Sequence, residues 1–393
     1  MRTRIINGKV IVADSIIDNS SILIENGKIL AIEQGNIATA ATVIIDAEGH
    51  YVSPGFVDIH VHGGGGHDFM DNTVNGFLRI GEIHARHGTT SMFPTTLSCE
   101  QSDLLQTLSI YEDAAQLNYL GAQFMGIHLE GPYFAMSQRG AQDSRYIRNP
   151  DPVEYEEVLS RSNFIKRWSA APELHGAIEF GKYLSAQGVL PAIAHTDAIY
   201  EQVVEAYQAG YTLATHFYSA MSGVTRRNAF RYAGVIESAY LIDDMDVEII
   251  ADGKHLPAPL LKLVYKIKGP QHIALITDAM RGAGMPPGES ILGGLKNGTK
   301  VIVEDGVAKM PDRTAFAGSV ATFDQLIRNM INLADVPLVE AIRMASETPA
   351  RIMKISDRKG TIAPGKDADF VIFDEDINVL KTIIGGKVVY EGI

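Results

Sequence analysis

Val57-Asp58-Ile59-His60-Val61-His62 runs an apolar strand pattern into two imidazoles, and four later segments end in the same manner. Gly126-Ile127-His128-Leu129-Glu130, Ala192-Ile193-Ala194-His195, Leu213-Ala214-Thr215-His216 and Leu275-Ile276-Thr277-Asp278 each close an apolar run on a metal-binding or acidic side chain. Repeated endings of this kind are expected where parallel strands bring their C-terminal ends to one metal. A parallel barrel supplies that geometry more readily than other folds.

The surrounding sequence supports this reading. From Pro54-Gly55 onward, strand-like runs alternate with helical segments at residues 74–86, 103–115, 177–186, 201–209, 259–266 and 322–333. Such alternation favours a parallel α/β sheet. Barrel strands are expected at 57–62, 90–94, 124–130, 190–195, 213–216, 248–251, 273–278 and around Phe316. Upstream, short strands are expected at 4–6, 9–12, 21–25, 28–32 and 42–45, with hairpin signals at Asn7-Gly8 and Asn26-Gly27. After Gly360 strands return without helices, at 370–373, 379–384 and 387–390. The expected fold class is α/β: a (β/α)8 TIM-like barrel over 55–358, inserted into a small β-sandwich formed from the N- and C-terminal segments 1–54 and 359–393.

The 393 residues suffice for one large barrel and an accessory unit, and a charged fraction of 21% excludes a disordered chain. A net charge of −13 argues against nucleic-acid partners, which want a basic surface. A few local arginines can still hold a small anion, because distant charges are screened over about 10 Å. One cysteine, Cys99, excludes an internal disulfide framework and fits a reducing compartment. No signal-peptide pattern or membrane-length apolar run is present, so a soluble cytoplasmic protein is expected.

Within a strand, residues i and i+2 share a face, so Asp58, His60 and His62 point together. His-x-His is common by chance; its place at the end of an apolar run, before Gly63-Gly64-Gly65-Gly66, singles it out. Taken alone, His195 and His216 are as readily structural histidines as ligands. Together, His60, His62, Glu130, His195 and His216 offer enough nitrogen and oxygen donors for one or two borderline divalent ions. Zinc is the first expectation, with iron, manganese or cobalt as alternatives. His128 reads as a hydrogen-bonded core histidine. Asp278 is placed to take a water proton and return it to a leaving group. His255 follows a barrel strand and reads as a substrate contact.

Taken in order, Pro54-Gly55-Phe56-Val57-Asp58-Ile59-His60-Val61-His62-Gly63, His128-Leu129-Glu130-Gly131-Pro132, Ala194-His195-Thr196, Thr215-His216-Phe217-Tyr218-Ser219-Ala220-Met221, Ala251-Asp252-Gly253-Lys254-His255 and Thr277-Asp278-Ala279 resemble the N-acetylglucosamine-6-phosphate deacetylases of the amidohydrolase superfamily. The resemblance spans essentially the whole chain. It implies that Glu130, His195 and His216 ligate the principal metal and that Asp278 is the catalytic acid/base. Retention of His60 and His62 permits a second ion. It further implies substrate contacts at Ala141, Ser219, Ala220, Arg227, His255, Phe316, Ala317 and Gly318, with Arg227 on the phosphate, and a homodimer in which a partner completes the phosphate pocket. The implied activity releases acetate from an N-acetylated amino-sugar phosphate.

Two departures bear on the sugar rather than on the chemistry. Ser219 stands where the family usually has Asn, and Asn-Ala-Phe-Arg231-Tyr-Ala-Gly follows Arg227 in place of the usual Arg-Glu-Pro-Gly. Alternative substrates are therefore N-acetylgalactosamine 6-phosphate or an unphosphorylated acetylated sugar. A non-catalytic barrel acting as a binding module is a third reading, disfavoured because no expected ligand is missing.

Overall fold

The computed structural model describes residues 2–35, 37 and 40–392. Eight parallel strands pair in sequence order: β1 (Phe56–Val61), β2 (Thr89–Thr96), β3 (Ile127–Glu130), β4 (Ile165–Ala170), β5 (Leu190–Ile193), β6 (Leu213–Ala214), β7 (Asp246–Ile249) and β8 (Ile273–Leu275). Hydrogen bonds beyond the regular ladder bring β8 back to β1. Asp278 N donates to His60 O and His62 N to Ala279 O, both at 2.9 Å. Thr277 Oγ1 adds a 2.5 Å bond to the carboxylate of Asp58. Burial pushes the Asp58 carboxyl up to about 7, and that threonine bond opposes the rise. Asp58 is thus a latch across the barrel seam.

Helices expected from 3.6-residue periodicity form on the outside of this sheet. Thr73 caps the first by accepting from Gly76 N at 3.1 Å, and helix Val74–Ala85 buries Phe77 and Ile80. Gly269, at φ 68°, ends helix Ala258–Lys268. Helix Phe323–Ala334 buries Phe323, Leu326, Ile327 and Met330, residues spaced by three or four along one face. Among the described residues no helix is long and apolar enough to cross a membrane.

Three expectations are corrected. The remaining barrel strand is Ile165–Ala170 rather than a segment around Phe316. Its sequence, Ile-Lys-Arg-Trp-Ser-Ala, hides the strand because Arg167 reads as exposed, yet Arg167 is fully buried against Glu248. Phe316 instead lies in a connection held by isolated bridges, Lys309 to Phe316 and Ala279 to Ser319. Before it stands an unexpected antiparallel sheet, Gly288–Leu292, Thr299–Glu304 and Val307–Lys309. The third correction is at Asn7-Gly8, which is no hairpin. It is an irregularity inside the single strand Arg2–Val12, where Gly8 sits so close to Val52 that a Cβ would fall 2.7 Å from its methyl. Asn26-Gly27 does turn the chain, pairing Glu25 with Lys28.

The terminal segments share one eight-stranded sheet, in which Phe370–Phe373 pairs antiparallel with Tyr51–Pro54. Ile5, Val10, Ile22, Ile24, Val52, Phe370, Ile372 and Ile383 form a core of its own, separate from the barrel's. The N-terminal sandwich therefore depends on the C-terminal strands for its interior.

Candidate active site

The strand ends converge as their spacing suggested, and the backbone pays close attention to how they turn. His195, His216 and Asp278 take φ values of 47°, 31° and 44°, and Tyr218 and Ala220 take 76° and 49°. Non-glycine residues seldom occupy this left-handed region, and such strain concentrates at functional sites. Here it falls on the residues that leave β5, β6 and β8 to face one cavity. By contrast, Gly63–Gly66 form a tight hairpin, in which Gly63 and Gly64 pair with Asp68 and His67. These glycines do not line the cavity.

Glu130 is the hub. Its Oε1 lies 3.0 Å from His216 Nε2, 3.3 Å from His195 Nε2 and 3.6 Å from His60 Nε2. Its Oε2 lies 3.4 Å from His62 Nε2 and accepts a bond from Gln142 Nε2 at 2.8 Å. Two ligand groups result, His60 with His62 and Glu130, and Glu130 with His195 and His216. Asp278 Oδ1 stands beside the first, 3.2 Å from His62 Nε2 and 3.5 Å from His60 Nε2.

The hydrogen-bond partners fix where the ring protons are. His195 Nδ1 faces Gln138 O at 2.8 Å and His216 Nδ1 faces Ser219 O at 3.2 Å. Carbonyl oxygens only accept, so each ring donates from Nδ1 and leaves Nε2 as the atom a cation would meet. Yet those two Nε2 atoms are 3.2 Å apart, as are those of His60 and His62. Four imidazole nitrogens gathered this closely around one carboxylate suit a shared cation, so the donor set fits a divalent metal.

The charges agree. Burial would raise the Glu130 carboxyl, but His60, His195 and His216 hold it well below the carboxylate range. Asp278 is likewise lowered, burial being outweighed by His60 and His62. His62 is pushed up to about 9, as Asp278 and Glu130 outweigh its burial. A site that retains a proton in this way releases it when a cation enters. His128 is held well below its ordinary value, mainly by burial, and bonds to Ser169 Oγ at 2.7 Å and Thr95 Oγ1 at 3.2 Å. It packs under the site as a neutral core histidine.

The cavity above the hub measures about 440 Å³, and His62, Glu130, His195, His216 and Asp278 line it. Of the expected substrate contacts, Ala141, Ser219, Ala220, His255, Phe316 and Gly318 also line it. His255 is oriented by Asp252, whose Oδ2 accepts from its Nδ1 at 2.7 Å, and its ring packs 4.7 Å from that of Phe316. Two expected contacts lie elsewhere. Ala317 is fully buried in a side cluster with Met280 and Val303. Arg227 sits on an exposed ribbon, Thr225–Arg227 paired with Phe230–Tyr232, its guanidinium 5.5 Å from the Tyr232 ring centre. No arginine or lysine is among the described residues lining the cavity. Sequence reasoning missed Gln142, Asp252, Arg167 and Glu248. Asp252 belongs to the Ala251–His255 segment, where only His255 reads as a contact; Gln142, Arg167 and Glu248 carry no motif signature, although Glu248 falls within an expected barrel strand.

Known proteins resemble the chain along nearly its whole length. A profile of the amidohydrolase family matches residues 51–389. The N-acetylglucosamine-6-phosphate deacetylase of Lysinibacillus sphaericus is 34% identical over 94% of this chain and 93% of its own. An N-acetylgalactosamine-6-phosphate deacetylase of Escherichia coli O157:H7 is 32% identical over 94% and 95%. A mutant N-acetyl-D-glucosamine-6-phosphate deacetylase of Mycobacterium smegmatis, solved in complex with N-acetyl-D-glucosamine-6-phosphate, superposes with a TM-score of 0.90 at 30% identity, covering 99% of each chain.

Proposed function

Because the chain belongs to the amidohydrolase family and, within it, to the N-acetylglucosamine-6-phosphate deacetylases, we infer that it hydrolyses N-acetyl-D-glucosamine 6-phosphate to D-glucosamine 6-phosphate and acetate. The observation that carries this reading is the shared carboxylate of Glu130, joining two histidine pairs with Asp278 3.2 Å from one of them. When bound, a divalent ion polarises the amide carbonyl and lowers the pKa of a water toward roughly 7. We assign the ion to His195, His216 and Glu130, with a second at His60, His62 and Glu130, and zinc as its identity.

The remaining chemistry belongs to the protein. Asp278, kept ionised by His60 and His62, accepts a proton from the attacking water. It then delivers that proton to the sugar nitrogen as the carbon–nitrogen bond breaks, leaving acetate and the amine. His255, held by Asp252 and Phe316 on the cavity lining, contacts the sugar. Ser219 and Ala220 supply the wall beside His216.

A phosphate is commonly held by a cation, and no arginine or lysine is among the described residues lining this cavity. We assign that role to Arg227 on the ribbon of a partner subunit in a homodimer; Phe230, 72% exposed on the same ribbon, suits a contact between subunits. Arg227→Ala is expected to raise KM for the phosphorylated sugar about tenfold or more and to change kcat little, measured by steady-state acetate release. An unchanged KM would remove Arg227 from the phosphate site. The lone cysteine supports a cytoplasmic location.

The similarity to an N-acetylgalactosamine-6-phosphate deacetylase makes the hydroxyl at C4 the point to test. Acetate release should be compared across N-acetylglucosamine, N-acetylgalactosamine and their 6-phosphates. The proposal expects N-acetylglucosamine 6-phosphate to give the highest kcat/KM. A higher value for the galactosamine phosphate would reassign the sugar, and no release from any of the four would overturn the activity.

A further inference from the structure

Beneath the ligand cluster lies a fully buried ion pair that the mechanism above does not use. Glu248 and Arg167 are both 0% exposed. Arg167 Nη1 and Nη2 grip the two carboxylate oxygens, the second at 2.9 Å. Arg167 also reaches Ile59 O at 3.2 Å and Thr215 Oγ1 at 2.7 Å, the residues just before His60 and His216. Glu248 Oε2 itself faces His60 Nδ1 at 3.3 Å and accepts from His216 N at 3.3 Å. One carboxylate thus touches a member of each ligand group. Isolated buried charges are costly, and a buried pair commonly adds little to stability over apolar side chains of the same volume.

We propose that Glu248, locked by Arg167, is a positioning residue that sets the His60 ring for a second cation between His60, His62 and Glu130. This rests on the assignment of two ions made above. The carboxylate only accepts, so His60 must carry its proton on Nδ1 and turn Nε2 to the site. His195 and His216 obtain the same tautomer from backbone carbonyls. His60 differs in leaning on a full carboxylate, which fixes the orientation of its ring. His62 has no such support, for its Nδ1 is buried without a hydrogen-bond partner. The second group therefore depends on Glu248 for its only fixed imidazole, whereas the first does not.

The test counts ions and measures their affinity in the full-length protein by zinc titration against a competing chelator, with elemental analysis. Wild type should hold two zinc ions per chain. Glu248→Gln should keep the tighter one and bind the weaker about 10–100-fold less tightly, the range for loss of a ligand's hydrogen-bond partner. Because Arg167 would then be buried alone, the double variant Glu248→Gln/Arg167→Met is run beside it, removing both charges. Loss of the weaker ion in the double variant, with the thermal transition within a few degrees of wild type, supports positioning by the carboxylate. Unchanged affinity for both ions in the double variant overturns it, as does a wild type that binds one ion only. Acetate release by wild type is scored separately, so a failed activity assignment and a failed role for Glu248 give different results.

Discussion

Asp278→Asn is expected to lower kcat/KM for acetate release by about a hundred- to ten-thousand-fold while bound metal stays at the wild-type level. Asp278 Oδ1 is 3.2 Å from His62 Nε2 and 3.5 Å from His60 Nε2, at the floor of the cavity. Its backbone is fixed on both sides, N to His60 O and O from Ser319 N, so the side chain cannot easily withdraw. Asparagine keeps that shape and cannot take a proton. Because neither ligand group includes Asp278, metal content should not follow the activity down. Near-normal acetate release with metal retained would show that the proton moves through another group.

The second large effect is expected at Glu130. Glu130→Gln removes the one charge common to both ligand groups. The amide nitrogen of glutamine cannot serve as a ligand, and the four converging Nε2 atoms lose the anion between them. Metal content should fall below one ion per chain, and kcat/KM should drop roughly a thousand-fold or more, about 4 kcal/mol. Elemental analysis of the purified variant separates this case from Asp278→Asn. Full metal content in Glu130→Gln would mean that the carboxylate is a neighbour of the ion and not its ligand.

Much of this was legible because strand periodicity and side-chain chemistry coincide at the same residues. His60, His62, Glu130, His195, His216 and Asp278 each end an apolar run, and a parallel barrel brings those ends together whatever the loops do. The missing strand shows the limit of that reasoning. Ile165–Ala170 carries Lys166 and Arg167, and only the pairing of Arg167 with Glu248, 81 residues away in the chain, explains why a strand interior tolerates a guanidinium. Phe316 erred in the other direction. It sits by the cavity through isolated bridges, a placement that mimics a strand end without being one. Ala317 is adjacent to two lining residues, but its side chain turns into the packing beside Met280. Arg227 reads as a phosphate ligand by residue type alone, and the structure places it on an exposed ribbon outside the cavity lining.

The residues that support the ligands were the least legible. Gln142 and Glu248 hold Glu130 and His60 from 12 and 188 residues away in the chain, whereas Asp252 holds His255 from only three. Periodicity carries no signal for the two longer-range pairs, since neither needs a fixed spacing from its partner. They are nonetheless what sets the tautomers and rotamers on which the site depends.

That metal held by this histidine–glutamate cluster makes the chain an amide hydrolase for an acetylated hexosamine phosphate follows from its family and its geometry. It is tested most directly by stripping the purified protein with chelator and following acetate and free amine from N-acetyl-D-glucosamine 6-phosphate as zinc is added back. Both products should appear in equal amounts, be absent from the stripped protein, and reach full rate as ions fill the site. Turnover unaffected by stripping, or no turnover from protein shown to hold its metal, would contradict the account.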